Sequence, residues 1–393
     1  MSADTTPAEA AWAQAFGDLP VEDGIALRDG AVARHFPAIS PTRHQALLSI
    51  ADLDAFLATD AARSPRLSMA LGSRPGSAAV PEDDYLLPDG RADLSRLFAT
   101  FDAGATLVIS QFHEMHPPLA RFCRGLEQVF LHAVQSNCYL TPPGAQGFRM
   151  HYDTHDVLVL QVVGEKRWRL WPGQPFPNPT RRTPWQGQGG IVPLGEPETV
   201  VMRPGDTLYV PRGVLHDAQA QDGAGPSLHI TVGLMEPSFA AVLRLALELL
   251  EESDPALRQA FPTWRLAEGA GALAALAQPL AARLAEPASL ERVALALLDR
   301  MAADRPSLLG RGLFVADPDA ETPLRLVPEL LHALVPEESG GASLRWAGLP
   351  ITLSDAETAW VENLAEGATP ASLGDGALDF CTRLYRLGVL GRA

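Results

Sequence analysis

The sequence contains almost no lysine. Among its 393 residues Lys166 is the only one, and every other member of its Lys+Arg total of 31 is an arginine. Drift in base composition replaces exposed lysines by arginine at little energetic cost, whereas a site that needs a compact ammonium resists the exchange. Lys166 therefore either survives by chance at a tolerant position or marks a site that a planar guanidinium does not fit.

Cysteine and long apolar runs are also scarce. The 3 cysteines form no CxxC motif and cannot all pair with one another, which suits a reducing compartment. No window approaches twenty uninterrupted apolar residues, and the acidic N-terminus lacks the basic region and apolar run of a secretory signal. We therefore expect a cytoplasmic protein without a membrane-spanning segment.

Positive charge is in short supply as well. The formal net charge is −16, which argues against nonspecific binding to nucleic acids. An acidic surface either steers a basic protein partner or only keeps the chain in solution, and the charge alone does not decide between these roles. We predict no DNA partner.

Short runs with strand periodicity dominate the middle of the chain. They follow one another between residues 136 and 234 and read SNCYLT, GFRMHYD, DVLVLQVV, KRWRLW, ETVVMR, DTLYVP and SLHITVGL. Gly, Pro and Asp separate these runs, a pattern typical of an antiparallel barrel or sandwich. Helical patterns lie before and after this region, so we predict an α+β fold class.

Changes of pattern divide the chain into four parts. We predict a mixed N-terminal segment over residues 1–95, a catalytic barrel over 96–236, a helical domain over 237–318 and a small domain over 319–393. The apolar helices after Glu236 either pack on the barrel or pair with a second subunit, and we predict a homodimer. The last part resembles a winged helix in its order of helix and short strands. Because its acidic residues outnumber its arginines, we predict an interaction or structural module.

A candidate metal site begins in the run GFRMHYD. On a β-strand, residues two apart project to the same face, so His151 and Asp153 can both point into a barrel. One more histidine would complete the two-histidine, one-carboxylate ligand set of non-haem iron(II) oxygenases. His155 shares the parity of this pair and is a rival ligand, although it approaches the end of the segment.

The motif GDTLYVPRGVLH supplies the third candidate ligand. Its spacing of glycine, five residues, proline, one residue, glycine, two residues and histidine looks like the second signature motif of the cupin family. Residues 211–213 form a predicted bend that directs His216 back into the barrel. We predict that His216 joins His151 and Asp153 on one metal ion.

The single lysine lies in a predicted hairpin of the same barrel. Gly164 supplies the turn, and Lys166 shares one strand face with Trp168 and Leu170. An ammonium inside a barrel carries a heavy desolvation penalty unless it meets an anion. The distal carboxylate of 2-oxoglutarate would be such an anion. The alternative is an exposed hairpin lysine beside Arg167.

Two polar residues share one face of the run SLHITVGL, the predicted closing strand. If that face points inward, the hydroxyl of Thr231 can donate a hydrogen bond to an anionic cosubstrate. His229 would then lie behind the groups that bind the ligands.

Residues 137–171 and 203–234 resemble the JmjC-type cupins of the ribosomal oxygenase family. The order of parts is similar over most of the chain: a barrel, a helical dimerisation segment and a winged-helix terminus. The resemblance implies a cupin/JmjC double-stranded β-helix barrel in which the HxD pair and the distal histidine bind iron(II). It also implies a lysine on the 2-oxoglutarate carboxylate, a threonine on the closing strand and an Asn-x-Tyr lining the site, which correspond to Lys166, Thr231, Asn137 and Tyr139.

The activity implied by this resemblance is that of an iron(II)- and 2-oxoglutarate-dependent dioxygenase, which uses O2 to hydroxylate an amino-acid side chain in a protein or peptide. In that family the targets are histidine or arginine side chains of ribosomal proteins. Gly233 stands where the histidyl-hydroxylating members carry a serine. A small-molecule metal cupin acting as an isomerase or hydrolase is an alternative, and a noncatalytic peptide-binding scaffold is another.

Overall fold

The computed structural model describes residues 5–30, 32–74, 78–180, 182–183, 192–260, 262–303, 316–337, 340–346 and 349–393. The chain forms two compact units, Met1–Met235 and Glu236–Ala393. The strands of the first unit are β1 (Arg34–Phe36), β2 (Leu67–Ala70), β3 (Thr106–Ile109), β4 (Val134–Thr141), β5 (Asp156–Val163), β6 (Lys166–Leu170), β7 (Glu198–Met202), β8 (Thr207–Val210), β9 (His216–Ala220) and β10 (Ser227–Leu234). Its helices are α1 (Pro7–Phe16), α2 (Val21–Ala26), α3 (Ile50–Leu57), α4 (Leu94–Asp102) and α5 (Pro117–Phe130).

The strands of the first unit form two antiparallel sheets. The larger has seven strands in the order β1-β8-β5-β10-β4-β3-β2, and the smaller has three in the order β7-β6-β9. From β5 to β10 the chain passes back and forth between the two sheets, which is the winding of a double-stranded β-helix. This arrangement confirms the predicted α+β class and the antiparallel barrel.

Strand β5 is apolar on both faces because each face is covered. Val157 and Val159 belong to the cluster between the sheets, with Trp168 of β6. The alternate residues, Leu158 and Leu160, belong to a second cluster that includes the buried sides of α1, α3 and α5. A strand buried on both faces loses the alternation of apolar and polar residues, which explains the continuous apolar run DVLVLQVV.

Two strands of the larger sheet come from the predicted N-terminal segment. Strand β1 pairs with β8 and strand β2 pairs with β3. The buried Asp206 carboxylate secures the chain after β1, since it accepts hydrogen bonds from the Ala38 amide at 2.7 Å and from His35 Nε2 at 3.0 Å. The N-terminal segment therefore takes part in the sheet, while the predicted boundaries at residues 95 and 318 stay predictions.

The prediction of a strand over residues 147–153 was wrong. This segment has no regular strand, and its one ladder contact is a single antiparallel bridge between His151 and His216. The segment instead connects β4 to β5 through turns and bends. His216 begins β9, a strand that the sequence pattern did not reveal.

The second unit combines helices with short strands. Its helices are α6 (Phe239–Ser253), α7 (Ala270–Leu284), α8 (Pro287–Ala303), α9 (Asp355–Glu366), α10 (Pro370–Leu373) and α11 (Ala377–Arg386), and its strands are β11 (Leu324–Leu326), β12 (His332–Pro336), β13 (Ala342–Trp346), β14 (Leu349–Leu353) and β15 (Leu390–Arg392). Strands β12, β13 and β14 form one antiparallel sheet, and β11 pairs with β15. Leu344, Leu364 and Leu384 bring β13, α9 and α11 into one core.

All three cysteines, Cys123, Cys138 and Cys381, are buried and free. Burial raises the pKa of the Cys138 thiol and raises that of Cys381 to about 11, so both remain protonated thiols. Among the helices of the described residues, none has the length and apolar character needed to cross a membrane.

Candidate metal centre and adjoining cavity

A cavity of about 190 Å³ lies inside the barrel of the first unit. All seven candidate site residues line it: Asn137, Tyr139, His151, Asp153, Lys166, His216 and Thr231. The structure therefore brings together side chains that lie up to ninety-four positions apart in the sequence, from residue 137 to residue 231.

The bridge between His151 and His216 places two imidazoles side by side. The His151 amide donates to the His216 carbonyl at 3.0 Å, and the His216 amide donates to the His151 carbonyl at 2.7 Å. The two ring centroids lie 4.4 Å apart. The reciprocal backbone bonds thus hold these two candidate ligands next to each other, although residues 147–153 form no regular strand.

Backbone carbonyls fix the orientation of both imidazoles. Nδ1 of His151 lies 2.7 Å from the carbonyl oxygen of Arg149, and Nδ1 of His216 lies 3.0 Å from that of Val214. A carbonyl oxygen only accepts hydrogen bonds, so each Nδ1 is the donor, and Nε2 of each ring is the nitrogen that could bind a metal ion. This is the arrangement found around histidines that bind metals.

Asp153 completes a set of three ligands. Its Oδ2 lies 3.6 Å from Nε2 of His216, and one potential ligand atom from each of His151, Asp153 and His216 lies within 4.8 Å of the others. Burial, followed by the proximity of His151, lowers the pKa of His216, so its imidazole is neutral and able to bind a cation. The residues fit a single metal ion, and the rival ligand His155 is outside this group.

Lys166 is buried, so the alternative of an exposed hairpin lysine was wrong. It is 4% exposed, it begins β6 after the turn at Gly164, where φ is +67°, and no carboxylate among the described residues forms an ion pair with it. Its Nζ donates to Oγ1 of Thr141 at 2.9 Å and lies 3.4 Å from Nδ1 of His229. Burial lowers the pKa of Lys166 to about 7, because the charged form is poorly solvated there, and a bound anion would stabilise the ammonium form.

His229 and Tyr139 form one wall of the cavity. Their rings stack with centroids 4.9 Å apart and an interplanar angle of 7°, because His229 on β10 pairs directly with Tyr139 on β4. Burial, followed by the charge of Lys166, lowers the pKa of His229. Thr231 and Asn137 form the next opposed pair on the same face of this ladder and also line the cavity, so the predicted inward face of β10 is confirmed.

Gly233 leaves room for a neighbouring histidine. A Cβ atom added at this glycine would lie 2.9 Å from both Cδ2 and Nε2 of His155, closer than side chains tolerate. His155 also lines the cavity, so the ring occupies space that a serine at position 233 would need. The glycine at position 233 therefore lets the His155 ring take its place in the cavity wall.

The sequence pattern missed two residues that line the cavity, Thr106 and Phe148, and one that contacts Lys166 from behind it, Thr141. Thr141 accepts the hydrogen bond of Lys166 and another from the Thr106 hydroxyl at 3.1 Å. Phe148 contacts the rings of Tyr139 and His151, with centroids 6.1 and 6.0 Å away. Strand periodicity could have indicated Thr141, because it lies two positions after Tyr139 on β4 and so shares its face of the strand. No pattern in the sequence indicates Thr106.

The sequence of this chain is similar to that of known JmjC-domain proteins. Residues 108–242 match the profile of the JmjC domain. Human ribosomal oxygenase 1 is 32% identical over 231 residues, which cover 56% of this chain and 34% of that protein. The bifunctional lysine-specific demethylase and histidyl-hydroxylase NO66 of Drosophila persimilis is 36% identical over 169 residues, which cover 42% of this chain and 24% of that protein. The chain thus spans only a quarter to a third of the length of these relatives.

Solved structures agree with this likeness at the level of the fold. The Escherichia coli ribosomal oxygenase YcfD superposes with a TM-score of 0.54 and 15% sequence identity, over 95% of this chain and 98% of that one. A structure of YcfD in complex with cobalt and 2-oxoglutarate gives a TM-score of 0.52 at the same identity. The similarity in fold therefore extends beyond the barrel to nearly the whole chain.

Proposed function

We propose that this chain, which matches the JmjC domain over residues 108–242 and is similar to the ribosomal oxygenases, is an iron(II)- and 2-oxoglutarate-dependent dioxygenase that hydroxylates an amino-acid side chain in a protein or peptide. One observation carries the proposal. A cavity holds a ligand set of two histidines and one carboxylate together with a buried ammonium that forms no ion pair within the described chain. The first group suits iron(II) with open coordination positions, and the second suits a dicarboxylate.

The residues divide the work of binding between them. His151, Asp153 and His216 would hold iron(II), and Lys166 with Thr141 would hold the distal carboxylate of 2-oxoglutarate. A metal ion bound there supplies the oxidative chemistry that couples decarboxylation of 2-oxoglutarate to hydroxylation by O2.

The barrel supplies the surroundings that this chemistry requires. Tyr139 stacks on His229, and the ring centroid of Trp168 lies 5.8 Å from that of His229, so these rings would keep water away from the anion. Thr231 and Asn137 offer hydrogen bonds on the wall between the ligand set and the ammonium. The cavity thus orients the cosubstrate and limits side reactions with water.

A protein substrate is the finer part of the proposal. The related proteins are named as ribosomal oxygenases and as a histidyl-hydroxylase, which favours a histidine or arginine side chain of a ribosomal protein. Ribosomal proteins are basic, and the net charge of −16 would attract them electrostatically. We also propose a cytoplasmic location, because three cysteines without a CxxC motif suit a reducing compartment.

The proposal predicts that removal of iron abolishes turnover. Purified protein with iron(II), 2-oxoglutarate and ribosomal proteins should release succinate and add one oxygen to a target protein, as measured by NMR and by intact-protein mass spectrometry. A chelator or replacement by zinc should stop both reactions, because zinc has no redox chemistry. Turnover without iron would instead favour a small-molecule isomerase or hydrolase, and no turnover with any substrate would favour a noncatalytic scaffold.

We also propose that the protein is a homodimer through the helices that follow Glu236. Helix α6 exposes Phe239, Leu243 and Leu247, which are 92%, 53% and 38% exposed. Residues four apart lie on one face of a helix, so these side chains form an apolar stripe that a second copy would cover.

Charge on this stripe should separate the subunits. The double substitution Phe239→Glu and Leu243→Glu should convert the dimer to a monomer, because two buried carboxylates without partners would face each other across the interface. Analytical ultracentrifugation measures the change. Arg244→Glu, at an exposed neighbouring position of α6, is the matched control and should remain dimeric. A wild-type protein that sediments as a monomer would contradict the proposal.

The C-terminal part is proposed to be an interaction module with a winged-helix form. Its three-stranded sheet β12-β13-β14 shares a core with α9 and α11, a combination of short strands and helices that such a domain contains. Its acidic surface would suit a basic protein better than DNA.

A further inference from the structure

A buried carboxylate connects the two segments that carry the metal ligands. Asp156 lies three residues after Asp153, at the start of β5, and is 2% exposed. Its Oδ1 accepts hydrogen bonds from the backbone amide and from Nε of Arg212, both at 2.9 Å. Its Oδ2 accepts from the Tyr209 hydroxyl at 3.1 Å. These donors offset the cost of burying the charge, and two of them belong to the bend that leads to His216.

The bend over residues 211–213 is fixed at successive positions. The Arg212 amide donates to the Asp156 carboxylate, and the next amide, that of Gly213, donates to the Asp153 carbonyl at 3.0 Å. The following residue is Val214, whose carbonyl accepts the hydrogen bond of His216 Nδ1. The segment that supplies His151 and Asp153 therefore holds the backbone that orients His216.

We propose that Asp156 is a positioning residue of the metal centre, which holds the bend so that His216 Nε2 is directed at the other two ligands before a metal binds. This inference rests on the proposed metal site. Asp156 does not itself line the cavity, so it acts through Arg212 and the backbone that follows. Groups that orient metal ligands from outside the coordination sphere change metal affinity by roughly 10- to 100-fold when they are removed.

The test is cobalt(II) binding to the full-length protein, measured by calorimetry and by the visible absorption spectrum of the bound ion. Asp156→Asn keeps the size of the side chain but removes its charge. We expect it to weaken cobalt(II) binding by roughly 10- to 100-fold and to shift the spectrum, because the spectrum reports ligand geometry. A merely structural role would lower the melting temperature without moving the spectrum.

Asp206→Asn is the matched control. Asp206 is also buried and accepts two backbone amides, from Ala38 at 2.7 Å and Arg203 at 2.9 Å, but it secures the turn before β8 and has no contact with the bend. It should lose stability and keep the cobalt(II) affinity and spectrum of the wild type. Equal losses of affinity in the two variants would overturn the inference, as would wild-type affinity and spectrum in folded Asp156→Asn.

Failure of the proposed metal site has a different signature, since the wild type would then bind no cobalt(II), and failure of the oxygenase activity alone would leave the cobalt(II) titrations of all variants unchanged. If Asp156→Asn does not fold, cobalt(II) binding is measured on Tyr209→Phe instead. This substitution removes one hydrogen bond from the Asp156 carboxylate and keeps the aromatic ring. A several-fold loss of cobalt(II) affinity would support the inference, and an unchanged affinity would overturn it.

Discussion

Replacing His151 by alanine should abolish 2-oxoglutarate turnover, whereas replacing His155 should leave iron binding almost unchanged. The two histidines are four residues apart and line the same cavity. Only His151 has a nitrogen within 4.8 Å of the ligand atoms of both Asp153 and His216. Its Nδ1 donates to the Arg149 carbonyl, so Nε2 is the nitrogen that would bind the metal.

The expected loss follows from the number of ligands. Apparent binding energies of about 10–16 kcal/mol for four-ligand zinc sites correspond to roughly 3 kcal/mol for each ligand. His151→Ala should therefore weaken metal binding by at least about 100-fold, and succinate production should fall to the background of the chelated protein. Calorimetry with cobalt(II) and NMR detection of succinate measure the two effects.

His155→Ala is the matched control because it removes the same side chain from the same segment. It should bind cobalt(II) with wild-type affinity and still form succinate, while coupling to a protein substrate changes with the shape of the cavity beside Gly233. Strong loss of metal binding in His155→Ala, with little loss in His151→Ala, would show that His155 and not His151 is the metal ligand.

The sequence predicted the three candidate ligands that the structure brings together, although one of the reasons was wrong. Parity along a strand was the argument for His151 and Asp153, yet residues 147–153 form no strand. The pair converges with His216 because reciprocal backbone bonds join His151 to the start of β9. A motif such as HxD can predict ligands correctly even when the secondary structure is predicted wrongly. The motif reflects the residue types that a metal requires and not the secondary structure that carries them.

Other features depend on contacts that spacing does not encode. The partner of Lys166 is Thr141, twenty-five residues away, and it is placed by the pairing of β4 with β10. Strands β1 and β2 have three and four residues, too few for a periodic pattern to rise above chance. Long-range register sets both features, and a single sequence carries little information about register.

Substitution of the single lysine should impair 2-oxoglutarate binding and spare the metal. Lys166→Met removes a buried charge opposite the distal carboxylate, a loss of about 3 kcal/mol or roughly 100-fold in affinity. Lys166→Arg keeps the charge, but its larger head group must displace Thr141 or His229, so it should also raise the 2-oxoglutarate requirement strongly. Titration of the cobalt(II)-loaded protein with 2-oxoglutarate measures both effects.

Arg167→Met is the control for this pair of variants. Arg167 is adjacent in sequence but lies on the exposed face of β6, where it contacts Gln219 of the neighbouring strand. It should bind 2-oxoglutarate as the wild type does. An unchanged affinity of Lys166→Met for 2-oxoglutarate would show that the lysine does not bind the cosubstrate. This conclusion would hold whether or not the metal site is correct.

The pH dependence of 2-oxoglutarate binding should carry the same signature. Burial lowers the pKa of Lys166 to about 7, and a bound carboxylate would raise it again. Below pH 7 the ammonium is already charged, so binding needs no proton. Above pH 7 Lys166 must take up one proton for each 2-oxoglutarate that binds. The dissociation constant of 2-oxoglutarate should therefore rise by up to about tenfold per pH unit until the pH reaches the pKa of Lys166 in the complex. His229 stays neutral throughout, because burial and Lys166 lower its pKa. Lys166→Met should abolish this dependence, and a wild-type affinity that is flat between pH 7 and 9 would show that the ammonium does not bind the anion.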